Sequence, residues 1–375
     1  MTKINRITAI VLALIMICAI FASCGSDAEK EKGLTTSAPA ETESKTTAPA
    51  TSEAAKSETE SGTEAAKTEP TVPVEHTGVK VRLGGLKGPT SMGMAKLIDD
   101  AGKGLTENAY EYTMATTADE LTPLLLKGEL DILAAPVNLA SVLYNKSGGK
   151  VKFAAVNTLG VLYIVEKGGD TIHSLADLKG KTLYATGKGT TPEFALNYLL
   201  SEVGIDMSKD LNVEWKSEPT EIVSLMATME SAYAMMPQPF VTVAQTKLDD
   251  LHIALDLTKE WDSLTLNSRL ITAGFIVRSE FAENEPEALS KFLKEYEASV
   301  RYVNDNHAEA SVLVENLDIV KAQIAEKAIE YCNLVCITGE QMKKAVSGYL
   351  DVLYKQKPDS VGGSLPGDDF YIIPQ

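Results

Sequence analysis

Residues 79–100 read VKVRLGGLKGPTSMGMAKLIDD, and this stretch sets the pattern for the rest of the chain. Its first five residues alternate apolar and charged side chains, which predicts a β-strand with one buried face. A glycine-rich turn follows, and apolar residues then recur at helical spacing from Met94 to Ala101. The stretch therefore predicts a strand, a glycine loop and a helix in succession.

The same order returns at residues 182–203, which read TLYATGKGTTPEFALNYLLSEV. Further strand and helix patterns alternate between and after these two stretches, which predicts the α/β fold class with two separate α/β units. The apolar strand predicted at Ile271–Val277 has no third sheet to join. We therefore expect it to return to the first unit, which would make that unit discontinuous in sequence.

The N-terminal residues predict export. Lys3 and Arg6 precede an apolar run from Ile7 to Ala22, which is typical of a secretory signal peptide and shorter than a spanning helix of roughly 20 residues. The following tract is built from Ser, Thr, Ala, Glu and Lys without aromatic residues, so it cannot bury enough surface to fold. We predict these segments: a signal peptide at 1–23, a disordered tether at 24–77, lobe 1 at 78–172, lobe 2 at 173–270, and a helical return to lobe 1 at 271–375.

Charge and cysteine content exclude two classes of protein. The formal net charge is −17, which repels nucleic acid. Of the four cysteines, Cys18 falls in the signal peptide and Cys24 at the start of the tether, which leaves Cys332 and Cys336 in the body. Two cysteines cannot form a disulfide framework, and we expect both to be buried as small apolar side chains, with a bridge between them as the alternative.

The two glycine-rich loops are the main candidate ligand-binding segments. Backbone N–H groups at a helix N-terminus suit an anion or a ligand oxygen, and ligands of open α/β sheets bind beyond the carboxyl ends of strands. The second loop offers two ways to start its helix, a capping box of Thr190 with Glu193 or a cap at Thr191 followed by Pro192. Turns of this composition also occur in α/β proteins without any ligand.

Three more polar residues follow predicted strands. Gln238 stands between two prolines that fix the backbone direction, Asn138 follows Pro136, and Asn157 ends a buried strand. Asn138 has the alternative role of capping its helix. The predicted ligand-binding residues are Lys87, Gly88, Pro89, Thr90, Ser91, Asn138, Asn157, Thr186, Gly187, Lys188, Gly189, Thr190, Thr191 and Gln238.

Patterns for catalysis and metal binding are missing from the sequence. There is no G-x-S-x-G elbow, no H-E-x-x-H and no complete phosphate-binding loop. The four histidines stand at unrelated positions, without a pair at metal-ligand spacing. We therefore predict a protein that is not an enzyme and that uses no cofactor or metal.

Four ordered segments of the chain resemble the solute-binding proteins of ABC importers, in the branch that includes aliphatic sulfonate, taurine, nitrate and thiamine-pyrimidine-precursor binders. They are Gly85–Thr90, Lys127–Ile132, Asp177–Thr182 and Pro237–Phe240. The resemblance implies a two-lobed periplasmic-binding-protein fold of type II, with the ligand cleft between the lobes. It also implies a small-molecule solute and two partners, the permease and ATPase subunits of the importer. We expect the binding protein itself to be a monomer.

Phe21-Ala22-Ser23-Cys24 resembles the lipobox of bacterial lipoproteins, in which the cysteine carries the acyl chains. This implies a protein that is lipid-anchored through Cys24 to the outer face of the cytoplasmic membrane. Relatives often carry Glu where Gln238 stands, and with Lys87 and Lys188 in the loops the neutral amide favours a polar or anionic solute. Two alternatives use the same fold, a lipoprotein that senses a ligand through a membrane receptor and an enzyme similar to the pyrimidine synthases of thiamine biosynthesis.

Overall fold

The computed structural model describes residues 78–265 and 267–373 of the 375-residue chain. The predicted signal peptide, the lipidation site Cys24 and the tether lie outside the described residues. Among the described residues, no helix is long and apolar enough to cross a bilayer.

Six strands form the first sheet. They are β1 (Lys80–Leu86), β2 (Ala109–Ala115), β3 (Ile132–Pro136), β4 (Val151–Leu159), β10 (Ile271–Arg278) and β11 (Leu334–Ile337). Their order across the sheet is β11-β4-β10-β3-β1-β2. β1 is parallel to β2 and β3, whereas β10 is antiparallel to β3 and β4, and β11 is antiparallel to β4.

Five strands form the second sheet. They are β5 (Leu162–Lys167), β6 (Thr182–Thr186), β7 (Asn212–Lys216), β8 (Ala232–Pro237) and β9 (Leu251–Asp256). Their order is β7-β6-β8-β5-β9, with β6 parallel to β7 and β8 and with β5 antiparallel to β8 and β9. The central strands of both sheets are almost wholly buried and apolar, as expected where helices cover both faces.

Helices connect and cover these strands. They are α1 (Pro89–Met92), α2 (Ala95–Gly102), α3 (Ala118–Lys127), α4 (Val137–Ser147), α5 (Thr191–Glu202), α6 (Pro219–Ala227), α7 (Phe240–Gln245), α8 (Leu257–Leu264), α9 (Ser279–Asn284), α10 (Pro286–Asp305), α11 (His307–Asn316), α12 (Ala322–Ala328) and α13 (Gly339–Gln356). Short 3-10 turns cover Leu175–Leu178, Ile329–Tyr331, Pro358–Val361 and Asp368–Phe370. This architecture confirms the predicted α/β fold class.

A buried cluster of ion pairs lies near the amino-terminal ends of β1 and β3, at the opposite end of the sheet from the carboxyl ends of these strands. Asp131 is 1 % exposed, and its carboxylate accepts hydrogen bonds from Arg82 Nε at 2.9 Å, Arg82 Nη2 at 2.6 Å and Arg278 Nη2 at 2.9 Å. Burial alone would raise the pKa of Asp131, but the hydrogen bonds from the two arginines outweigh it and lower the pKa below its ordinary value. The Lys127–Ile132 segment therefore stabilises the first sheet through the ion pairs of Asp131.

Two strands differ from what the periodicity predicts. We placed residues 78–172 in lobe 1, but β5, at 162–167, pairs with β8 and β9 of the second sheet. A buried strand has the same apolar pattern whichever sheet it joins, so the pattern could not assign it. The chain past Ile271–Val277 was predicted to be helical, but it also contains the four-residue strand β11 at the edge of the first sheet.

Cys332 and Cys336 are both free thiols. Cys332 is fully buried, as predicted, whereas Cys336 is half-buried. Burial raises the pKa of each thiol to about 12, so both are held in the protonated, weakly nucleophilic form.

Candidate ligand-binding cleft

The topology brings the carboxyl ends of parallel strands in both sheets to one crossing point of the chain. β3 and β4 run in the same direction, because β10 is antiparallel to both, and β4 leads directly into β5 through Gly160 and Val161. Leu162, which starts β5, pairs with Pro237, which ends β8. The loops that follow β1, β3, β6 and β8 therefore all face this crossing.

The chain passes from the first sheet to the second at Gly160 and returns near Leu270, and these two segments are in contact. A β-carbon built on Gly160 would lie 2.2 Å from Thr258 Oγ1 and 2.7 Å from Leu270 Cδ2, so no side chain fits there. Asn333 lies at the same place and donates from Nδ2 to the Gly160 carbonyl at 2.6 Å. We call the crossing at Gly160, Leu270 and Asn333 the hinge.

The first loop is fixed by its own backbone and by Asn157. Gly88 adopts φ 136°, which only glycine tolerates readily, and it precedes α1. The buried Ser91 donates from Oγ to the Leu86 carbonyl at 2.6 Å. The carbonyl of Thr90 accepts from Asn157 Nδ2 at 3.0 Å. These bonds hold Pro89 and Thr90 beside the carboxyl end of β4.

Lys87 points toward a different part of the first lobe. Its Nζ lies 2.8 Å from Asp318 Oδ2, in the turn between α11 and α12, and this contact lowers the pKa of the Asp318 carboxyl. Asp318 is almost fully exposed. The charge of Lys87 is therefore committed to a surface ion pair in this conformation.

Tyr112 is a polar residue of the first loop region that the sequence did not identify. Its hydroxyl lies 3.0 Å from Ser91 Oγ, and a β-carbon on Gly85 would lie within 2.6 Å of both oxygens. Burial raises the pKa of Tyr112 to about 12. The only sequence signal for this pair was Gly85 itself, which leaves the space that the two hydroxyls fill.

The two predicted asparagines make hydrogen bonds within the protein. Asn138 donates from Nδ2 to the Ser360 carbonyl at 3.3 Å and makes no side-chain cap to α4. Asn157 is fully buried, and its Oδ1 accepts from Thr158 Oγ1 at 3.0 Å in addition to the Nδ2 bond to Thr90. Both amides therefore support the cleft walls in this conformation.

The second loop starts α5 differently from either predicted cap. Thr190 precedes the helix, but its Oγ1 donates to the Gly187 carbonyl at 2.6 Å, while Glu193 accepts from the Gly189 N–H at 2.5 Å. Thr191 and Pro192 are the first two helical residues, so neither the predicted capping box nor the cap at Thr191 forms. The helix boundary itself lies where the sequence indicated it.

The side chains of the second loop are open to solvent. Lys188, Gly189 and Thr190 are exposed, and Thr186, Gly187 and Thr191 are half-buried. Among the residues at 78–265 and 267–373, no ion pair or side-chain hydrogen bond engages Lys188. From the other lobe, α13 supports α5, because Gln356 Nε2 donates to the Phe194 carbonyl at 2.8 Å and Gln356 Oε1 accepts from Asn197 at 2.8 Å.

Gln238 lies between the second loop and the hinge. It is 2 % exposed, and its backbone N–H donates to the Val161 carbonyl at 2.9 Å. Ala185 pairs with Met235, so the second loop and Gln238 follow the ends of neighbouring strands. The Gln238–Pro239 peptide bond is cis.

The topology thus brings the two glycine loops, Asn157 and Gln238 to strand ends beside the hinge, whereas the side chain of Lys87 turns away to Asp318. Among the described residues, no group of three or more His, Cys, Asp and Glu side chains could hold a metal ion. A cavity of about 790 Å³ lies elsewhere, between α10, the end of β11 and residues 371–373, and shares none of the predicted residues.

Comparison with known proteins finds the same fold in ABC transporter proteins. Residues 151–310 match the model of a family described as NMT1/THI5 like. No curated protein sequence matches the chain. An ABC transporter structure from Parabacteroides distasonis is similar over 79% of this chain and 99% of its own, with 27% identity and a TM-score of 0.66.

Two more distant structures share the fold. The periplasmic aliphatic sulphonate binding protein SsuA from Escherichia coli is 14% identical, with a TM-score of 0.63 over 79% of this chain and 92% of its own. The ligand-binding component of an ABC-type import system from Staphylococcus aureus is 15% identical, with a TM-score of 0.58 over 79% of this chain and 97% of its own. These neighbours are binding proteins, and they have the two-lobed architecture that the sequence predicted.

Proposed function

We propose that this chain is the extracytoplasmic solute-binding component of an ABC importer. The observation that carries the proposal is the convergence of four strand-end loops from two sheets on one hinge. The 27% identity to an ABC transporter protein along 99% of that protein's length supports it. The proposed function includes no catalytic step.

Solute capture is proposed to depend on closure of the two lobes. The loops of each lobe offer backbone N–H groups and polar side chains, and a solute that contacts both lobes binds the closed form more tightly than the open form. Such differential affinity shifts the population to the closed form, which the permease then recognises. A micromolar dissociation constant corresponds to about −8 kcal/mol, which a few convergent polar groups in a desolvated cleft can supply.

The proposed location follows from the N-terminal sequence. Signal peptide cleavage before Cys24 and acylation of that cysteine would anchor a monomer to the outer face of the cytoplasmic membrane. A tether of about 50 residues has a root-mean-square reach of roughly 40 Å, which lets the body turn toward the permease. The proposed solute is small and polar or anionic, because Lys188 and the N-terminus of α5 are the free positive groups that the second loop offers.

A thermal unfolding screen of the purified full chain tests the binding function. Sulfonates, nitrate, bicarbonate and pyrimidines are added separately, and a true solute at 100 times its dissociation constant adds about 2.7 kcal/mol of stability. Lys188→Ala should weaken binding of an anionic solute, whereas Lys247→Ala, an exposed lysine of the same lobe, should not.

One result would overturn the proposed function, and another would overturn only the location of the site. Failure of every compound to stabilise the wild-type chain argues against solute binding. Equal binding by Lys188→Ala and Lys247→Ala leaves the binding function intact and removes the second loop from the site.

A further inference from the structure

The side-chain oxygen of Gln238 has a fixed partner. Gln238 Oε1 accepts from Thr242 Oγ1 at 2.9 Å and from the Thr242 N–H at 3.3 Å. Thr242 is the third residue of α7, so its N–H has no acceptor within the helix. A backbone N–H can only donate, and a rotated amide would bring two donors together. The oxygen must therefore face Thr242.

This orientation leaves the amide nitrogen without an acceptor. Gln238 Nε2 is buried and makes no hydrogen bond to any described residue. An unsatisfied buried donor costs about 1–3 kcal/mol, so a water or a ligand is expected to complete it. Gln238 itself is at the carboxyl end of β8, beside the second loop and one hydrogen bond from the hinge.

The neighbouring groups of the cleft are also donors. Lys188 lies in the loop that follows the neighbouring strand β6, and the N-terminus of α5 begins at the end of the same loop. The carboxylate of the loop, Glu193, is already engaged by the Gly189 N–H. A solute at this position therefore meets donors and has to supply acceptors.

We propose that Gln238 is a specificity-determining residue that donates from Nε2 to an oxygen of the solute. The inference rests on the proposed binding function and adds the chemical class of the solute. The contacted group is an oxygen without a proton, as in a carboxylate, a sulfonate, a nitrate or a carbonyl. An amine or another donor at this point is rejected, because it would face Nε2 donor to donor.

Gln238→Glu tests this contact through pH. The variant keeps one oxygen toward Thr242 and replaces the NH₂ by a group that donates only when it is protonated. The ordinary pKa of Glu is about 4.3, and burial raises it. Affinity for an acceptor solute should therefore be near that of wild type at about pH 5 and fall by about 100-fold at about pH 8, while the wild type stays flat.

Isothermal titration of the full chain with nitrate, methanesulfonate and methylammonium provides the measurement. Nitrate and methanesulfonate remain ionised throughout this pH range, and methylammonium offers only donors. Gln238→Met should lose affinity at both pH values, because it has no donor in either. Gln245→Glu adds the same charge at an exposed position of α7 and should behave as the wild type.

The outcomes separate the contact from the function. A wild type that binds nitrate or methanesulfonate, with pH-dependent loss only in Gln238→Glu, supports the proposal. Wild-type affinity in both Gln238 variants overturns the contact alone, as does binding of methylammonium by the wild type. Binding of no probe by the wild-type chain overturns the contact together with the proposed function.

Discussion

Asp131 is a carboxylate enclosed by Arg82 and Arg278 with almost no exposure to water. Replacing it by Ala leaves the partly buried Arg82 without its anion and Arg278 with only the exposed Glu280, so we expect Asp131→Ala to lower the free energy of unfolding by about 3 kcal/mol. Chemical denaturation measures this loss. Asp318→Asn, which breaks only an exposed pair with Lys87, is the control and should change stability far less.

The same residue gives the wild type a pH dependence with a definite sign. The folded pKa of Asp131 is lowered, so its stabilising contribution is present above the unfolded pKa of about 3.9 and is lost as the pH falls through the folded value. Asp131→Ala should therefore show a flatter stability profile below about pH 4. A variant that unfolds at the wild-type denaturant concentration would contradict this account.

Residue-scale roles were only partly predictable from the sequence. The Lys127–Ile132 segment carried part of the family resemblance, and in the structure Gly128 ends α3 with φ 79°. The partners of Asp131 could not be read, because Arg278 is 147 positions away and reaches it only through the pairing of β10 with β3. Lys87 was similarly expected in the cleft, and its ion pair with Asp318 depends on a turn 231 positions later.

At the scale of elements, the backbone conformation of the turn at Asn333 accompanies the hydrogen bonds that this residue makes at the hinge. Asn333 adopts φ 47°, in the left-handed region, while its amide donates to Gly160 and its carbonyl accepts from the Leu159 N–H. Asn333→Gly removes the side-chain amide, and glycine adopts the left-handed conformation readily. Asn333→Ala removes the same amide and adds the conformational cost of a β-carbon in that region. We expect Ala to be less stable than Gly by about 1 kcal/mol in denaturant unfolding.

The pair of variants contains its own control for this prediction. Both lose the hydrogen bond to Gly160, so the difference between them reports the backbone alone. Equal stability of the two variants would show that the turn does not require the left-handed conformation.

The order of elements was predictable, and their terminal hydrogen bonds were not. Apolar spacing in 182–203 indicated a strand, a loop and a helix, and β6 and α5 occupy those positions. Which groups would satisfy the first turn of α5 was open, because Thr190, Thr191 and Glu193 can each bond to several backbone atoms within a few residues. The folded loop selects Gly187 and Gly189 as their partners.

At the scale of the whole molecule, the hydroxyl of Tyr163 adds a further hydrogen bond between the lobes, beside the hinge. Tyr163 of β5 donates from its hydroxyl to the Tyr331 carbonyl at 2.7 Å, and the two rings meet edge to face at 6.1 Å. Rotation that separates the lobes at this point breaks the bond. Tyr163→Phe removes about 1 kcal/mol from the conformation that contains this bond, which shifts the population about fivefold toward forms that lack it.

The distance between spin labels on Ser208 and Lys146, exposed residues of the two lobes, measures this shift. The labels are attached to cysteines introduced there, and the raised pKa of Cys336 keeps its thiol from competing. Tyr331→Phe leaves the accepting carbonyl and should match the wild type. An unchanged distance distribution in Tyr163→Phe would exclude the bond as a closure contact.

Whole-molecule organisation could be predicted as two α/β units, but the boundary between them could not. β4 and β5 are both buried and apolar and are separated by only Gly160 and Val161. No composition change marks the passage from one sheet to the other. The boundary is set by long-range pairing, since β5 finds its neighbours at residues 232–256.

The strand order has a consequence for how the chain assembles during synthesis. All five strands of the second sheet are complete once residue 256 has left the ribosome, so that lobe has every partner it needs early. The first sheet cannot join β3 to β4 before β10 arrives to lie between them. β4 therefore keeps unpaired edges while more than a hundred later residues are made, and such edges attract other chains.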